Sequence, residues 1–267
     1  MKIGFIGVGN MAKAIIQGWL KTKAVNPEEI IIHSKHPANY QKYAVENHLQ
    51  AVESNQAVVE QTDIVFLAVK PQVVESVLAE LRETFQRVKP IIVSMVTGFS
   101  IKQIQSSLNI ADLEILRIMP NVNVEIAAGM TALAPNKQLA MEHLKICKDL
   151  LNSVGKTLEI PENDFSVFVA LAGSSPAFVY FFIDAMSRAG VKYGFSKSQA
   201  TEIAAQAVLG SAQKVLASSK SPWDLVDDVS SPGGTTVAGL LAMEEAGFMT
   251  SVIKGIDATI AKDQGRN

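Results

Sequence analysis

The stretch Lys2-Ile3-Gly4-Phe5-Ile6-Gly7-Val8-Gly9-Asn10-Met11-Ala12 decides the fold. A short apolar run leads directly into the pattern G-x-G-x-x-A, and a helical pattern follows, which is the context that a dinucleotide-binding fingerprint requires. Gly7 permits the tight turn, and Gly9 lets a pyrophosphate approach the backbone. Ala12 keeps the helix close to the strand. The stretch therefore predicts a dinucleotide site whose phosphates lie at a helix N-terminus.

The rest of the first 161 residues alternates apolar runs of strand length with amphipathic stretches of helical spacing. Several runs are apolar on successive residues, which is typical of parallel strands buried on both faces. The runs are Lys2–Ile6, Ile30–His33, Ile64–Val69, Ile91–Met95, Ile115–Met119 and Met130–Ala134. This alternation predicts an α/β fold with a Rossmann-type doubly wound sheet over residues 1–161.

After Pro161 the strand runs stop, and residues 162–267 are predicted to form an all-helical domain. An apolar helix is expected over Pro176–Ala189. A capping box at Ser196-Lys197-Ser198-Gln199 opens a second helix. Ser221-Pro222 marks another helix start, and a final helix is expected from about Thr236 past Met243.

Composition limits the classes of partner. The chain has 267 residues, 48% of them hydrophobic and 19% charged, with a formal net charge of −2. A near-neutral chain has no broad electrostatic reason to bind nucleic acid or an anionic membrane. The low charged share indicates surface buried between subunits. The uncharged stretch 165–183 is interrupted by Gly173-Ser174-Ser175-Pro176, so we expect a soluble core and no membrane span.

The single cysteine, Cys147, excludes an intramolecular disulfide framework and a cysteine-rich zinc site. It is compatible with a reducing compartment, and glycines interrupt any signal-peptide h-region near the start, so a cytoplasmic location is expected. The pairs His33/His36 and His143/Cys147 have no third ligand nearby, so no metal site is predicted. A serine hydrolase is disfavoured because no histidine neighbours Ser174.

The second strand indicates which coenzyme is used. An Asp or Glu at its end would hold the 2′-hydroxyl of NAD, but Ile30-Ile31-Ile32 runs into His33-Ser34-Lys35-His36. Ser34 can donate a hydrogen bond and Lys35 can pair with a phosphate, which favours NADP over NAD. The alternative, that Lys35 and His36 form only a solvated loop, stays open.

The stretch Val229–Thr236 precedes a helix and is the most unusual in the chain. Pro232-Gly233-Gly234 requires a turn, after which Gly233, Gly234, Thr235 and Thr236 would present successive N–H groups at a helix N-terminus. With nearby hydroxyls this predicts a small anion nest suited to a carboxylate. An ordinary turn with an N-cap is the alternative. Two alternatives also stay open for Lys70-Pro71 and Met119-Pro120-Asn121. Each is either part of a ligand site at the end of a strand or a structural turn that follows the strand.

Five segments in order resemble the pyrroline-5-carboxylate reductase family, and the resemblance covers essentially the whole chain. The segments are Gly4-Phe5-Ile6-Gly7-Val8-Gly9-Asn10-Met11, Ala68-Val69-Lys70-Pro71, Met119-Pro120-Asn121, Gly173-Ser174-Ser175-Pro176-Ala177 and Ser231-Pro232-Gly233-Gly234-Thr235-Thr236. The last is the most specific. The resemblance implies reduction of 1-pyrroline-5-carboxylate to L-proline, the last step of proline biosynthesis. It also implies a C-terminal helical domain for dimerisation.

The resemblance further implies a coenzyme and site residues. The coenzyme would be NADPH, with NADH as an alternative. The residues implied to bind it are Ile6, Gly7, Val8, Gly9, Asn10, Met11, Ser34, Lys35, Asn55, Ala68, Val69, Lys70 and Pro71. Those implied to bind the substrate are Glu162, Ser231, Gly233, Gly234, Thr235 and Thr236. Thr236 would be the catalytic residue, with its hydroxyl facing the ring nitrogen, and positioning would dominate over acid–base catalysis.

Departures from the family pattern keep two alternatives open. Val169, Ala172, Ser175 and Phe178 stand where the family usually has Thr, Ser, Gly and Tyr. A regulatory paralogue that binds NADP(H) without turnover would tolerate such changes. A β-hydroxyacid dehydrogenase would use a helical lysine, and Lys214 matches part of that motif, but Ser218 stands where asparagine is expected. The partners implied are a cyclic imino acid and a second copy of the chain, as a homodimer or a higher oligomer of dimers.

Overall fold

The computed structural model describes residues 1–265, apart from the side chain of Asn39, and divides the chain into two compact units, residues 1–173 and residues from Ser174 onward. The domain boundary predicted after residue 161 falls within the first unit. It stays a prediction, and the last two residues of the predicted domain 162–267 lie outside the described part of the chain.

The first unit is built on one sheet of eight strands in the order β3-β2-β1-β4-β5-β6-β7-β8. The strands are β1 (Ile3–Ile6), β2 (Ile30–His33), β3 (Gln50–Ala51), β4 (Ile64–Leu67), β5 (Ile91–Ser94), β6 (Ile115–Pro120), β7 (Gly129–Pro135) and β8 (Gly155–Glu159). All six predicted strands are present. β1 lies at the centre, with Ile3 in register with Ile30 on one side and Ile64 on the other.

The last two strands, β7 and β8, depart from the predicted parallel arrangement. The strands from β3 to β6 run parallel, but β7 pairs antiparallel to β6, with Leu116 opposite Pro135. The short 3-10 turn Val122–Ile126 connects them, and so short a connection returns the chain beside the strand it has just left. β8 then pairs parallel to β7 after a helical crossover.

Helices cover both faces of the sheet. They are α1 (Asn10–Thr22), α2 (Pro37–Glu46), α3 (Asn55–Gln61), α4 (Pro71–Val88), α5 (Ile101–Leu108), α6 (Met141–Asn152) and α7 (Phe165–Phe168). One buried cluster joins α1, α2 and α6 to the sheet, and a second joins α3, α4 and α5 to the opposite face. Trp19 of α1 packs on Phe5 and Phe66 at ring distances of 5.8 and 5.5 Å. This two-layer cover confirms the doubly wound prediction.

Residues 162–173 pack on the β7 end of the sheet. Phe165 and Phe168 are buried with Met119 and Ala132 in a third cluster. The segment Val169–Gly173 is a π-helix, and it holds two of the four positions that depart from the family pattern. Burial of these aromatic rings places the segment in the first compact unit.

The second unit is helical throughout its described residues. Its helices are α8 (Ser175–Lys192), α9 (Lys197–Ala217), α10 (Pro222–Asp228), α11 (Thr235–Glu245) and α12 (Phe248–Asp263). The capping boxes at Ser196 and Ser221 are formed as predicted. The helix predicted from about Thr236 past Met243 is confirmed as α11, but it is not the final helix, because Gly247 takes φ +79° and separates it from α12.

The second unit exposes many large apolar side chains. Phe181 is 77% exposed, Leu216 72% and Trp223 63%. By length and composition alone, the helical stretch Glu162–Lys192 could cross a membrane, as could α11 and α12 if they formed one span bent by 50°. Only 17% of the apolar window in the first stretch is buried, so these helices present an apolar surface that the subunit alone does not cover.

Candidate active site

The glycine turn after β1 is held by its neighbours on both sides. Gly7 has φ +96°, and its N–H donates to the carbonyl of His33 at 2.9 Å. A Cβ placed on Gly7 would lie 2.6 Å from the carbonyl oxygen of Ala68. Both the backbone conformation and the close approach therefore require glycine here, as the fingerprint predicted.

The second glycine leaves space instead of filling it. Gly9 is the N-cap of α1, no side chain caps that helix end, and no acidic residue lies in its first turn. A Cβ on Gly9 would meet no heavy atom within 4 Å. The first N–H groups of α1 thus have no intrahelical acceptor and face a gap that a side chain would occupy. This arrangement fits the pyrophosphate of a dinucleotide.

The β4 end joins the glycine turn. The Ala68 N–H donates to the carbonyl of Ile6 at 2.9 Å, so the two strand ends lie side by side. Lys70 is the N-cap of α4 and Pro71 is its first residue, where a missing N–H costs nothing. The structure therefore brings the predicted coenzyme residues 6–11 and 68–71 together at the carboxyl edge of the sheet.

His33, which was not among the predicted site residues, connects the end of β2 to Asn55. Ser54 caps α3 by accepting from the Ala57 N–H at 3.1 Å, which places Asn55 in the first turn. Nδ1 of His33 lies 2.7 Å from Oδ1 of Asn55. Ser34 and Lys35 follow His33 directly. A histidine as the last residue of β2 was the only available signal, and its contact with Asn55 could not be read from the sequence.

The predicted nest in the second unit is formed only in part. Gly233 has φ +70°, and α11 begins at Thr235 with no side-chain cap. The Gly234 N–H, however, donates to the carbonyl of Ser231 at 2.9 Å and closes the turn, so its inclusion among the free donors is wrong. The first-turn N–H groups of α11, beginning at Thr235 and Thr236, have no intrahelical acceptor. The hydroxyls of Thr235 and Thr236 lie on exposed residues.

Beside this loop, the Ser230 hydroxyl is buried and has no hydrogen-bond partner within residues 1–265. Lys214, the residue of the dehydrogenase alternative, lies exposed in the last turn of α9.

Glu162, a predicted substrate residue, connects three elements of the first unit. Its Oε1 accepts from the Ile101 N–H at the start of α5 and from Nη1 of Arg117 in β6, both at 2.8 Å. The Arg117 side chain is 9% exposed, and its guanidinium lies 4.7 Å from the Phe165 ring. Glu162 therefore fixes the start of the 162–173 segment on the sheet, and its contact with a substrate stays a prediction.

Asn121, which ends one of the family-like motifs, also has a structural explanation. It is buried, its Nδ2 donates to the Ala172 carbonyl at 2.9 Å, and its Oδ1 accepts from the Met130 N–H at 3.2 Å. The amide thus ties β7 and the π-helix to the end of β6. These two hydrogen bonds explain Asn121 as a structural strand end, without a ligand.

Residues 1–265 contain no group of three or more His, Cys, Asp or Glu side chains that could hold a metal ion. Cys147 is a buried free thiol in the core, and burial raises its pKa from about 9 to about 12. Such a thiol is neutral at physiological pH and cannot serve as a nucleophile.

Known proteins match this chain over nearly its whole length. A family described as pyrroline-5-carboxylate reductase dimerisation matches residues 162–265, and one described as NADP oxidoreductase, coenzyme F420-dependent, matches residues 2–98. The pyrroline-5-carboxylate reductase of Synechocystis is 35% identical over 99% of this chain and 97% of its own.

Two solved structures agree with this placement. A 1-pyrroline-5-carboxylate reductase from Streptococcus pyogenes is 42% identical, with a TM-score of 0.88 over 99% of this chain and 98% of its own. A pyrroline carboxylate reductase from Plasmodium falciparum, solved with NADP bound, is 28% identical, with a TM-score of 0.89 over 100% of this chain and 98% of its own.

Proposed function

Because the chain belongs to the pyrroline-5-carboxylate reductase family, we propose that it reduces 1-pyrroline-5-carboxylate to L-proline with NADPH. The observation that carries this proposal is the turn at Gly7 and Gly9. That turn leaves an uncapped helix N-terminus and an open gap at Gly9, beside the end of β4. A chain with this family membership and this loop is an oxidoreductase acting on C=N bonds.

Bound NADPH supplies the hydride. The residues that would hold its phosphates are Ile6, Gly7, Val8, Gly9, Asn10 and Met11, through backbone N–H groups and the partial positive charge of α1. Ala68, Val69, Lys70 and Pro71 would lie along the nicotinamide ribose. Ser34 and Lys35 would bind the 2′-phosphate, and Asn55 would lie at the adenosine end. The close packing of Gly7 on Ala68 supports a single continuous site for these residues.

The loop from Ser231 to Thr236 would bind the substrate carboxylate. The uncapped N-terminus of α11 supports this assignment, because its free N–H groups and helix dipole favour an anion. Ser231, Gly233, Gly234, Thr235 and Thr236 form this site, with Gly234 contributing through the turn that it closes. Glu162 would contribute a carboxylate near the substrate.

Thr236 would hold the proton at the ring nitrogen. The imine carbon accepts hydride most readily when its nitrogen is protonated, and a hydroxyl on that nitrogen orients the ring toward the donor. Two rings held in this orientation need little further acid–base chemistry. Thr236 is exposed at the start of α11, so its hydroxyl is accessible to a ligand.

The chain self-associates through its C-terminal helices, and we propose a homodimer or a higher oligomer of dimers. The exposed apolar side chains of the second unit support burial against a second copy. A lipid environment is disfavoured because Asp184 lies within the apolar helix α8. Hydrogen bonds from Lys197 and Arg188 hold the pKa of Asp184 below its ordinary value, so it is charged. A cytoplasmic location is proposed, with which the single free thiol Cys147 is compatible, and no nucleic-acid partner is proposed.

Turnover is tested by following NADPH oxidation with and without 1-pyrroline-5-carboxylate, with NADH in parallel. We expect imine-dependent oxidation that is faster with NADPH. In Thr236→Ala, kcat should fall at least about tenfold, because a hydrogen bond to the reacting nitrogen is removed. NADPH binding should stay unchanged, because Thr236 is not one of the proposed coenzyme residues. Thr235→Ser, which keeps a hydroxyl at the neighbouring position, is the matched control. NADPH binding without turnover would contradict the proposal and support the regulatory paralogue.

A further inference from the structure

The eight-stranded sheet ends in two edge strands of different length. β3 has two residues and ends one side, whereas β8 has five residues and ends the other. An edge strand carries backbone N–H and C=O groups that can pair with a strand of another chain, and proteins limit this by shortening the strand or by covering it. β3 is protected by its shortness. β8 has the length of an average strand, so its edge must be protected in another way.

The backbone groups of β8 that face away from the sheet follow from its pairing with β7. The Ile160 N–H, directly after β8, donates to the Leu133 carbonyl at 3.0 Å. Because the N–H groups of successive residues in a strand point to opposite sides, the N–H groups of Gly155, Thr157 and Glu159 face away from β7. Thr157 is the middle residue of the strand, so its N–H is the central donor of this edge.

α6 supplies an acceptor for that donor. Asn152 is the last residue of α6, and its Oδ1 accepts from the Thr157 N–H at 3.1 Å and from the Thr157 hydroxyl at 2.9 Å. One turn earlier in α6, Nζ of Lys148 lies 2.6 Å from Oε1 of Glu159. Residues four apart on a helix share a face, so one face of α6 contacts two alternate residues of the edge. An exposed ion pair contributes little, which leaves Asn152 as the main contact.

We propose that α6 closes the β8 edge to a second copy of this chain. The edge can pair with itself in the antiparallel direction. With Thr157 opposite the same residue of the second copy, Gly155 lies opposite Glu159, and the Thr157 N–H and carbonyl form the central hydrogen bonds. Those bonds cannot form while Asn152 holds the N–H. Leu158, which is 50% exposed, would add apolar surface to such a pair.

Closing this edge determines how far the protein assembles. The chain already self-associates through its C-terminal helices, so each assembly carries at least two β8 edges. Pairing of these edges would link one assembly to the next in an open series. With the edge closed, association is confined to the helical unit. The bond from Asn152 also closes the connection between α6 and β8, so the experiment must separate edge pairing from a structural role of this residue.

The experiment measures the mass of the full chain by sedimentation velocity at about 5 to 100 µM, without coenzyme or imine. In Asn152→Ala the average mass should rise with concentration to at least about twice that of the unaltered chain, because whole assemblies join. Asn152→Asp keeps an acceptor oxygen and is the matched control, with the mass of the unaltered chain. Asn152→Ala/Thr157→Pro removes the central N–H and should abolish the added mass. Proline is tolerated at this position because the N–H faces away from β7.

An unchanged mass in Asn152→Ala, or added mass that persists in Asn152→Ala/Thr157→Pro, would overturn the proposal. So would the same added mass in Asn152→Asp. If Asn152→Ala does not fold, hydrogen exchange in the unaltered chain decides. The Thr157 amide should exchange at least about tenfold more slowly than that of Glu159, although both face away from β7. Equal rates would show that the edge is open and would refute the closure. None of these measurements depends on reductase activity.

Discussion

Glu162→Ala leaves the Arg117 guanidinium without its carboxylate partner. That side chain is 9% exposed, so water replaces the lost contact poorly, and the Ile101 N–H loses its acceptor as well. Breaking a buried ion pair by removing one partner costs about 3–5 kcal/mol. Glu162 is 26% exposed, which admits some water to the gap. We therefore expect a loss of about 3 kcal/mol in the free energy of unfolding.

Arg117→Met should lower the free energy of unfolding much less, by about 1 kcal/mol, because Glu162 still accepts from the Ile101 N–H and remains partly exposed to water. The Arg117 Nε has no partner within the described residues, so its removal also relieves a buried unpaired donor. In the double variant the guanidinium is absent and cannot be left unpaired. Its loss should be smaller than the sum of the two single losses by at least about 1.5 kcal/mol.

Thermal unfolding at one fixed protein concentration, without coenzyme, measures these differences. At about 2–4 °C per kcal/mol, Glu162→Ala should lower Tm by about 6–12 °C and Arg117→Met by only a few degrees. A Tm of Glu162→Ala within 2 °C of the unaltered chain, or losses that simply add in the double variant, would show that the Glu162–Arg117 pair does not stabilise the fold. An unchanged Tm with a raised KM for the imine would instead assign Glu162 to the substrate alone.

Three further predictions follow from other contacts. Gly9→Val should weaken NADP⁺ binding at least about 100-fold in calorimetry, because a side chain would fill the gap at the N-terminus of α1, while Tm stays within a few degrees since the space is open. Cys147 should not react with a thiol-specific disulfide reagent at pH 8 in the folded protein. Since its folded pKa of about 12 lies above its ordinary value near 9, the associated stability is present below pH 9 and lost between pH 9 and 12. Asn121→Ala should lower the free energy of unfolding by about 3 kcal/mol in thermal unfolding, because the Ala172 carbonyl and the Met130 N–H lose their partner.

Each of these has a control. Gly7→Ala should lower Tm, since both the positive φ of Gly7 and the Ala68 carbonyl oppose a side chain. Retained NADP⁺ binding in Gly9→Val would contradict the placement of the pyrophosphate at the N-terminus of α1. Cys147 should react once the chain is unfolded in urea, and a native-state rate that rises between pH 7 and 9 would contradict its burial. Asn123→Ala, two residues after Asn121 and less buried, should leave Tm nearly unchanged.

The parts of the fold that depend on local sequence were predictable. Strands buried on both faces are continuous apolar runs, so Ile30–His33 and Ile64–Leu67 were recognisable from their residues. β3 has two residues, and β8 is an edge strand of mixed polarity, so neither produces such a run. The reversal of β7 was not predictable because strand direction depends on the connecting turn, Val122–Ile126.

The residues of the candidate site were likewise predictable only where their role depends on local sequence. The turn at Gly7 and Gly9 was predictable because its function resides in backbone conformation, which glycine placement reveals. The contacts of Glu162 with Arg117, and of His33 with Asn55, join residues 45 and 22 positions apart. Nothing local in the sequence marks such pairs. The loss of the Gly234 N–H to the turn also required coordinates, because it depends on how the turn closes.

The uneven distribution of apolar surface implies an order of folding. The first unit buries its own clusters on both faces of a finished sheet, so it can complete its fold while the later helices are still leaving the ribosome. The helices after Ser174 emerge with large apolar side chains that stay exposed within a single subunit. A newly made subunit therefore remains prone to aggregation until it meets another. The yield of active protein then depends on subunit concentration as well as on the stability of the sheet.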